Sequence, residues 1–241
     1  NMKILFIYPL WTGEYKGIAG YFAKRSGGTY IPYNLALLAS IAEDGGHDAK
    51  IIDAELDRFS LDDILPMVKE YAPDIIALTG MTPFFNVIEE TAQFLKNNGV
   101  GSSICVGGPH VTIMEDKALT SAFDYLFVGE GEEAWKKFLE VITKNKELTA
   151  VPGLIYRDNT GKIIKNARTN SNKNLDVYPL PAYHLLRMGE YKLGTLKGSL
   201  PFSSIQTIRG CPWKCIFCAS EQLETSRILR RSIPSIVDEI E

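Results

Sequence analysis

Short apolar runs alternate with amphipathic segments through roughly the first 145 residues of this 241-residue chain. The apolar runs have the length of buried strands and fall at 3–8, 49–53, 74–78, 103–106 and 124–128. The segments with apolar residues at helical spacing fall at 32–44, 60–71, 87–98 and 133–144. Strands that alternate with helices pair in parallel through right-handed crossovers. The sequence therefore predicts an α/β fold with a five-stranded parallel, Rossmann-like (flavodoxin-like) sheet.

Loops rich in glycine, threonine and proline follow four of these strands, at 9–28, 79–83, 107–110 and 129–132. All four lie at the carboxyl edge of a parallel sheet, which is where ligands bind in such folds. A tight turn explains any one loop by itself, but four on one edge predict a binding site, because glycine lets a ligand approach the backbone. The candidate binding residues are Pro9, Thr79, Gly80, Thr82, Pro83, Gly107, Gly108, Pro109, His110, Gly129 and Glu130.

Several ligands and locations are disfavoured by the sequence. No GxGxxG follows the first strand, which argues against a dinucleotide site, and no GxxxxGK[ST] occurs. The net charge of -3 gives no reason to expect nucleic-acid binding, and no apolar run is long enough to span a membrane. Four cysteines without an even, spread-out framework indicate a reducing compartment, so we expect a cytoplasmic protein.

Three of the four cysteines form one short loop, Cys211, Cys215 and Cys218, with the spacing Cys-x3-Cys-x2-Cys. Thiolates are the ligands of iron-sulfur clusters, and three of them leave one iron of a [4Fe-4S] cluster open to another ligand. A structural zinc site usually takes four ligands in paired units, and no second pair follows this loop. The spacing therefore favours a [4Fe-4S] cluster over structural zinc.

The residues around these cysteines resemble the radical S-adenosylmethionine (SAM) superfamily. The lead-in 209–212 reads Arg-Gly-Cys-Pro, and Phe217 stands in the aromatic place before the last cysteine. The resemblance implies that Cys211, Cys215 and Cys218 ligate a [4Fe-4S] cluster and that SAM takes the fourth iron. It also implies that reduction, by a partner such as flavodoxin or ferredoxin, cleaves SAM to a 5′-deoxyadenosyl radical.

The upstream part of the chain is similar to the cobalamin-binding domain that precedes the barrel in one group of these enzymes. The matching stretches are ASIAEDGGHDAKIID at 39–53, GGPH at 107–110 and VGEGE at 128–132, in the group's order. The resemblance implies that the strand-end residues named above contact cobalamin. None of His47, His110 and His184 lies in an Asp-x-His-x-x-Gly motif, so cobalamin is expected base-off without a histidine ligand.

Three regions follow from these patterns. Residues 1–148 are expected to form the cobalamin-binding domain, 149–200 a hairpin and linker, and 201–241 the start of a truncated radical SAM barrel. The hairpin is indicated by Asp-Asn-Thr-Gly at 158–161 between two short apolar runs. We further expect a short helix at 182–191, a strand at 203–208 leading into the cysteines, and a helix capped by Ser232. The chain is thus interpreted as an amino-terminal fragment of a longer enzyme.

Some individual residues have ordinary structural explanations. Cys105 is expected to pack as a small apolar side chain within its strand. Glu130 and Glu132 either face the cofactor or serve the amino end of the following helix, and the helix is favoured. His47 is expected at the surface, and His110 either touches the ligand or caps a helix. Aromatic residues of the first long loop, Trp11 and Tyr15, either cover a corrin or simply pack.

The resemblance implies a cobalamin-dependent radical SAM methyltransferase as the parent protein. In that group the adenosyl radical abstracts a substrate hydrogen, methylcobalamin gives its methyl to the carbon radical, and a second SAM remethylates cobalt. The substrate, a small molecule or a peptide, is not specified by the sequence, and the fragment itself is expected to be inactive. Alternatives are a cyclase of the same group, a methylthiotransferase-like enzyme, which needs three more upstream cysteines where only Cys105 occurs, and a non-catalytic cobalamin carrier or sensor.

Overall fold

The computed structural model describes residues 1–11, 29–168, 174–192, 202–223 and 228–241. Tyr15, most of the predicted glycine-rich loop after the first strand, and the polar linker at 169–173 lie outside the described residues.

Nine strands occur in the described residues: β1 Lys3–Tyr8, β2 Asp48–Asp53, β3 Ile75–Thr79, β4 Ser103–Gly107, β5 Tyr125–Phe127, β6 Leu154–Arg157, β7 Ile163–Lys165, β8 Ile208–Arg209 and β9 Leu229–Arg230. The α-helices there are α1 Tyr33–Asp44, α2 Ala54–Asp57, α3 Leu61–Tyr71, α4 Phe85–Asn97, α5 Pro109–Met114, α6 Gly131–Thr143, α7 Ser220–Leu223 and α8 Ile233–Ile240. Short 3-10 turns lie at Thr82–Phe84, Glu115–Ala118, Leu148–Ala150, Leu175–Val177, Tyr183–Leu185 and Met188–Glu190.

Seven strands form one sheet in the order β2-β1-β3-β4-β5-β6-β7. The first five are parallel, as the sequence predicted, and the predicted hairpin, β6 and β7, continues the same sheet in antiparallel pairing. The strand order reverses between β1 and β3, and helices cover both faces. Such a reversal opens a crevice at the carboxyl edge of the sheet, which is where ligands bind in open α/β folds.

Alternate side chains of the parallel strands pack into two separate apolar cores, one on each face of the sheet. Leu5 and Ile7 of β1 pack on the face covered by α3 and α4, whereas Ile4 and Phe6 pack on the face covered by α1 and α6. Both sets are buried, which explains why these strands are continuous apolar runs without a polar face. Burying each large apolar side chain contributes about 1.5–3 kcal/mol relative to leaving it in water.

Capping residues begin two of the predicted helices where the sequence placed them. Ser60 accepts a hydrogen bond from the Asp63 amide, and the Asp63 carboxylate accepts one from the Ser60 amide at 2.8 Å. The Ser60 hydroxyl also donates to the Asp63 carboxylate at 2.6 Å, and this hydrogen bond, with the one from the Ser60 amide, lowers the pKa of Asp63. Ser232 accepts from the Ser235 amide at the start of α8. Both helices are therefore fixed at their amino ends by side chains that satisfy otherwise unpaired amides.

Two short segments differ from expectation. The helix predicted over 182–191 is a pair of 3-10 turns, separated because Leu186 has an extended backbone. Of the strand predicted over 203–208 only Ile208 lies in a strand, the two-residue β8, which pairs with the equally short antiparallel β9. Among the helices of the described residues, none has the length and apolar character that crossing a membrane requires.

Candidate functional site

A cavity of about 220 Å³ lies at the carboxyl ends of β3, β4 and β5. Its wall is completed by α1, by the start of α6 and by residues next to the cysteine loop. The lining residues used below are Leu38, Ala77, Thr79, Cys105, Gly107, Gly108, Pro109, Gly129, Glu130, Glu132, Trp135, Gln206, Arg209 and Leu223. The cavity therefore joins the predicted cobalamin-binding domain to the segment that precedes the cysteines.

The floor of the cavity is apolar because of two small side chains. Ala77 and Cys105 are register partners on β3 and β4, and both face the core under α1 and α6. Larger side chains close the sides: Leu38 lies on α1, and Trp135 donates its indole hydrogen to the Leu38 carbonyl oxygen at 3.1 Å. Cys105 is buried as predicted, and burial raises its thiol pKa well above the usual value. The floor is therefore apolar and carries little side-chain bulk.

Six of the eleven predicted strand-end residues line the rim of this cavity. They are Thr79, Gly107, Gly108, Pro109, Gly129 and Glu130. The rim is fixed by the hydroxyl of Thr112, which accepts a hydrogen bond from the Gly129 amide at 3.0 Å. Parallel pairing brings the ends of β3 and β4 side by side, so residues from separate loops meet at one opening.

Gly108 is required by the backbone conformation of its turn. Its φ is +101°, and an added Cβ would lie 2.6 Å from the Thr79 hydroxyl oxygen and 3.0 Å from the Gly80 carbonyl oxygen. Protein atoms, and not an empty space for a ligand, therefore exclude a side chain here. The conformation of the turn is therefore sufficient to explain why a glycine stands here.

The other five predicted residues do not line the cavity. Thr82 and His110 contact each other, with 3.1 Å between the Thr82 hydroxyl oxygen and His110 Nδ1. The His110 ring also stacks on Phe85 at a centroid separation of 3.9 Å, and burial lowers its pKa, which favours the neutral ring. Pro9 and Gly80 are buried in the same edge of the sheet, and Pro83 is exposed there.

Arg209 was not predicted as a site residue, yet its side chain lines the cavity. Its guanidinium contacts both carboxylate oxygens of Glu132, the shorter distance being 2.6 Å, and lies 3.5 Å from a Glu130 oxygen. The Arg209 and Glu132 side chains are only 10% and 8% exposed. Burial by itself lowers the pKa of Arg209, but the hydrogen bond and charge of Glu132 outweigh it and raise the pKa, so Arg209 stays protonated.

This pairing changes the interpretation of the two glutamates. Both lie at the amino end of α6 as expected, but the Glu130 side chain makes no capping hydrogen bond there. Their cationic partner is Arg209 instead. The sequence signal for this pair was the opposite charge of the Arg-Gly-Cys-Pro motif at 209–212 and the VGEGE motif at 128–132. The sequence does not show, however, which of its 26 basic residues contacts which carboxylate.

His47 was expected at the surface and is instead buried. Its Nδ1 accepts a hydrogen bond from the Met2 amide at 3.3 Å, and burial lowers its pKa. The expectation was wrong because the turn after α1 folds back against the start of β1, a contact between residues far apart in the chain.

The cysteine loop lies at the surface beside the cavity. Cys211 is half-buried, whereas Cys215 and Cys218 are exposed. Within the described residues no group of three His, Cys, Asp or Glu side chains stands close enough to hold a metal ion, so the thiols are not gathered in this conformation. Their chemistry nevertheless fits iron, since the thiols are accessible and a hydrogen bond with Ser220 lowers the pKa of Cys218 toward the thiolate that metals bind.

The fold and the cavity define a cofactor-binding α/β domain, with its site at the carboxyl edge of a parallel sheet. Residues 22–139 match the family described as the B12 binding domain. The chain therefore carries a B12-binding domain, as the resemblance in its upstream motifs implied, and nearly its whole length is similar to cobalamin-dependent radical SAM proteins.

Individual relatives agree with this assignment. An uncharacterized methyltransferase of Pyrococcus horikoshii is 32% identical over 241 residues, covering 99% of this chain and 50% of that protein. The anaerobic magnesium-protoporphyrin IX monomethyl ester cyclase of Rubrivivax gelatinosus is 27% identical over 247 residues, covering 100% of this chain and 42% of that protein. This chain therefore spans half or less of the length of these relatives.

A solved structure shares the fold at much lower identity. The cobalamin-dependent S-adenosylmethionine radical enzyme OxsB, with aqua-cobalamin and S-adenosylmethionine bound, matches with a TM-score of 0.73 and 17% identity, over 99% of this chain and 31% of that one. The likeness extends through the cysteine loop, so both regions of this chain follow one arrangement.

Proposed function

We propose that this chain binds cobalamin at the carboxyl edge of its parallel sheet and holds it next to a radical SAM cluster loop. The observation that carries the proposal is the cavity itself, whose wall combines the strand ends of a B12-binding domain with Arg209, two residues before Cys211.

The cavity is proposed to receive the heterocyclic base of cobalamin in the base-off state. A base that has left cobalt is flat and largely apolar, and the small residues Ala77 and Cys105 leave an apolar space of that character. No histidine lines the cavity. His110, which lies at the same edge of the sheet, is engaged with Thr82 and Phe85. These contacts support binding without a histidine ligand.

In the whole protein, we propose radical methyl transfer to a small molecule or peptide, with electrons from a donor such as flavodoxin or ferredoxin. Bound cofactors would supply a reductively generated adenosyl radical and a transferable methyl group. The residues of this chain would bind and orient them: Cys211, Cys215 and Cys218 as thiolate ligands, and the strand-end rim around the corrin. Methyltransferase and cyclase names both occur among the relatives, and methyl transfer is proposed because it is the activity of the relative with the highest identity given above.

Titration of the chain with hydroxocobalamin tests the cobalamin site. We expect saturable binding with a base-off visible spectrum. Ala77→Leu fills the floor of the cavity and should weaken binding tenfold or more, equivalent to about 1.4 kcal/mol. Ala92→Leu is the matched control, because it adds the same volume to the opposite core. Equal affinity in both variants, or a histidine-ligated spectrum, would contradict the proposal.

Anaerobic reconstitution of the whole protein with iron and sulfide tests the cluster. We expect about four irons per chain, lost in Cys215→Ala and retained in Cys105→Ala, whose thiol is buried in β4. Cobalamin binding without any iron would instead favour the second candidate, a cobalamin carrier or sensor with a non-functional cysteine loop.

A further inference from the structure

Arg209 is part of both the cavity wall and the segment that leads into the cysteine loop. Its side chain forms part of the cavity wall, and its backbone lies two residues before the first cysteine of the loop. Glu130 and Glu132, which hold its guanidinium, follow β5 in the B12-binding domain. One side chain therefore connects the proposed cobalamin site to the proposed cluster ligands.

The connection is geometrically specific. The two terminal nitrogens of the guanidinium face the two oxygens of Glu132 at 3.2 and 2.6 Å, which is a bidentate arrangement. The second of these nitrogens also donates to the side-chain oxygen of Gln206 at 2.8 Å. A planar guanidinium held by a fork of this kind has one orientation, whereas a lysine ammonium would be a single point charge.

The backbone between this anchor and the loop is short and constrained. Arg209 pairs with Leu229 in the β8–β9 ribbon, which fixes the strand from its other edge. Gly210 then takes φ of +95°, a conformation that favours glycine, and turns the chain toward Cys211. A shift of Arg209 is therefore passed to the first cysteine through a single residue.

We infer that Arg209 is a positioning residue that couples occupancy of the cavity to the conformation of the cysteine loop. The inference rests on the proposed function, since cobalamin is taken as the ligand of the cavity. A ligand that fills the cavity contacts the wall of which Arg209 and Glu132 are part, and restricts both. The loop that starts at Gly210 is ordered with them, and by reciprocity an ordered loop binds the ligand more tightly.

Amide hydrogen exchange of the 241-residue chain, with and without saturating hydroxocobalamin, tests this coupling. In the unaltered chain we expect slower exchange both at the strand-end loops, 79–83 and 107–110, and at the cysteine loop, 210–218. The slowing at the cysteine loop should be about fivefold or more, the lower end of ordinary coupling between sites. In Arg209→Gln and Glu132→Gln the strand-end loops should still be protected, while protection of the cysteine loop is lost.

Three variants make the result specific. Glu140→Gln removes a carboxylate from the same helix at an exposed position and should behave as the unaltered chain. Arg209→Lys keeps the charge without the fork and should retain only part of the protection. Combining Arg209→Gln with Glu132→Gln should lose no more protection than either alone, since both act through one contact.

The outcomes separate the inference from the proposed function. Failure of the unaltered chain to bind hydroxocobalamin would overturn both. Binding with protected strand ends and an unprotected cysteine loop would overturn the coupling alone. Protection of the cysteine loop that persists in Arg209→Gln and Glu132→Gln would show that another contact carries it and would remove Arg209 from this role.

Discussion

Gly108 occupies a backbone position that a residue with a side chain fills only under strain. Its positive φ and the 2.6 Å approach of an added Cβ to the Thr79 hydroxyl act together, so two separate costs arise on substitution. Gly99 provides a comparison, because its φ is +78° and no atom lies within 4 Å of an added Cβ.

Gly108→Ala should therefore destabilise the fold more than Gly99→Ala. The positive φ costs each variant about 1–3 kcal/mol, since residues with a side chain rarely adopt it. The contact with Thr79 and Gly80 should add at least about 1 kcal/mol in Gly108→Ala alone. Urea unfolding of the two variants and of the unaltered chain measures the difference. Equal losses of unfolding free energy would show that the Gly108 turn relaxes freely.

Asp53 is a buried carboxyl group at the end of β2. It accepts hydrogen bonds from the Leu56 amide at 2.9 Å and from the Tyr191 hydroxyl at 2.8 Å. Burial nevertheless raises its pKa, outweighing these hydrogen bonds. A raised pKa in the folded state means that the folded protein holds this proton more tightly than the unfolded chain does.

The contribution of Asp53 to stability should therefore fall as the pH rises from about 4, its pKa in the unfolded chain, through its higher pKa in the folded protein. Asp53→Asn removes this contribution, so the variant should gain stability relative to the unaltered chain between pH 4 and pH 7. Asp63→Asn should show the opposite sign, because the pKa of Asp63 is lowered and its stabilisation is lost below about pH 4. Thermal midpoints from about pH 2 to pH 7 check both variants, and for Asp53→Asn a curve parallel to that of the unaltered chain would refute the first expectation.

At the scale of single elements, helix α8 is attached to the rest of the molecule mainly by polar contacts. Arg231 and Glu239 form an ion pair with side chains 8% and 0% exposed, and the Tyr183 hydroxyl donates to the same carboxylate. Asp176 accepts from the Ser232 amide at the start of the helix. Several apolar side chains of α8, including Ile233 and Ile240, are exposed, so apolar packing contributes less to its position.

Glu239→Ala should therefore release α8 while leaving the sheet intact. Removing one partner of a buried ion pair leaves an uncompensated charge and costs about 3 kcal/mol, or roughly a hundredfold in an opening equilibrium. Amide exchange of residues 233–241 should accelerate by that factor. Asp238→Ala, an exposed carboxylate on the same helix, should change it little. Unchanged exchange in Glu239→Ala would mean that the helix is held by its other contacts.

At the scale of the whole molecule, folding and ligand binding draw on different parts of the chain. The two apolar cores contain described residues from β1 through the linker at 185, and none from the cysteine segment. The cavity wall, in contrast, includes Gln206, Arg209 and Leu223. The domain should therefore fold without the segment that helps to close its binding site.

A chain shortened to residues 1–192 should unfold cooperatively but bind hydroxocobalamin about tenfold more weakly, a loss of about 1.4 kcal/mol. Calorimetry gives the unfolding transition, and a visible titration gives the dissociation constant. An affinity equal to that of the 241-residue chain would show that the strand ends alone form the site.

The sequence by itself determined the alternation of strands and helices, the caps at Ser60 and Ser232, the hairpin at 154–165 and the cysteine spacing. Each of these depends on neighbours within a few residues, so the periodicity and turn chemistry of the chain are sufficient. Six of the eleven candidate binding residues meet at the cavity for a related reason, because parallel pairing places all carboxyl strand ends on one edge.

Only the tertiary structure decided which side chains meet across the chain. The Arg209–Glu132 pair joins residues 77 positions apart, and the buried place of His47 depends on packing against the amino terminus. The cavity floor likewise requires Ala77 and Cys105 to be register partners. Contacts of this kind depend on the distance and orientation that folding gives to whole elements, and a local sequence pattern contains neither.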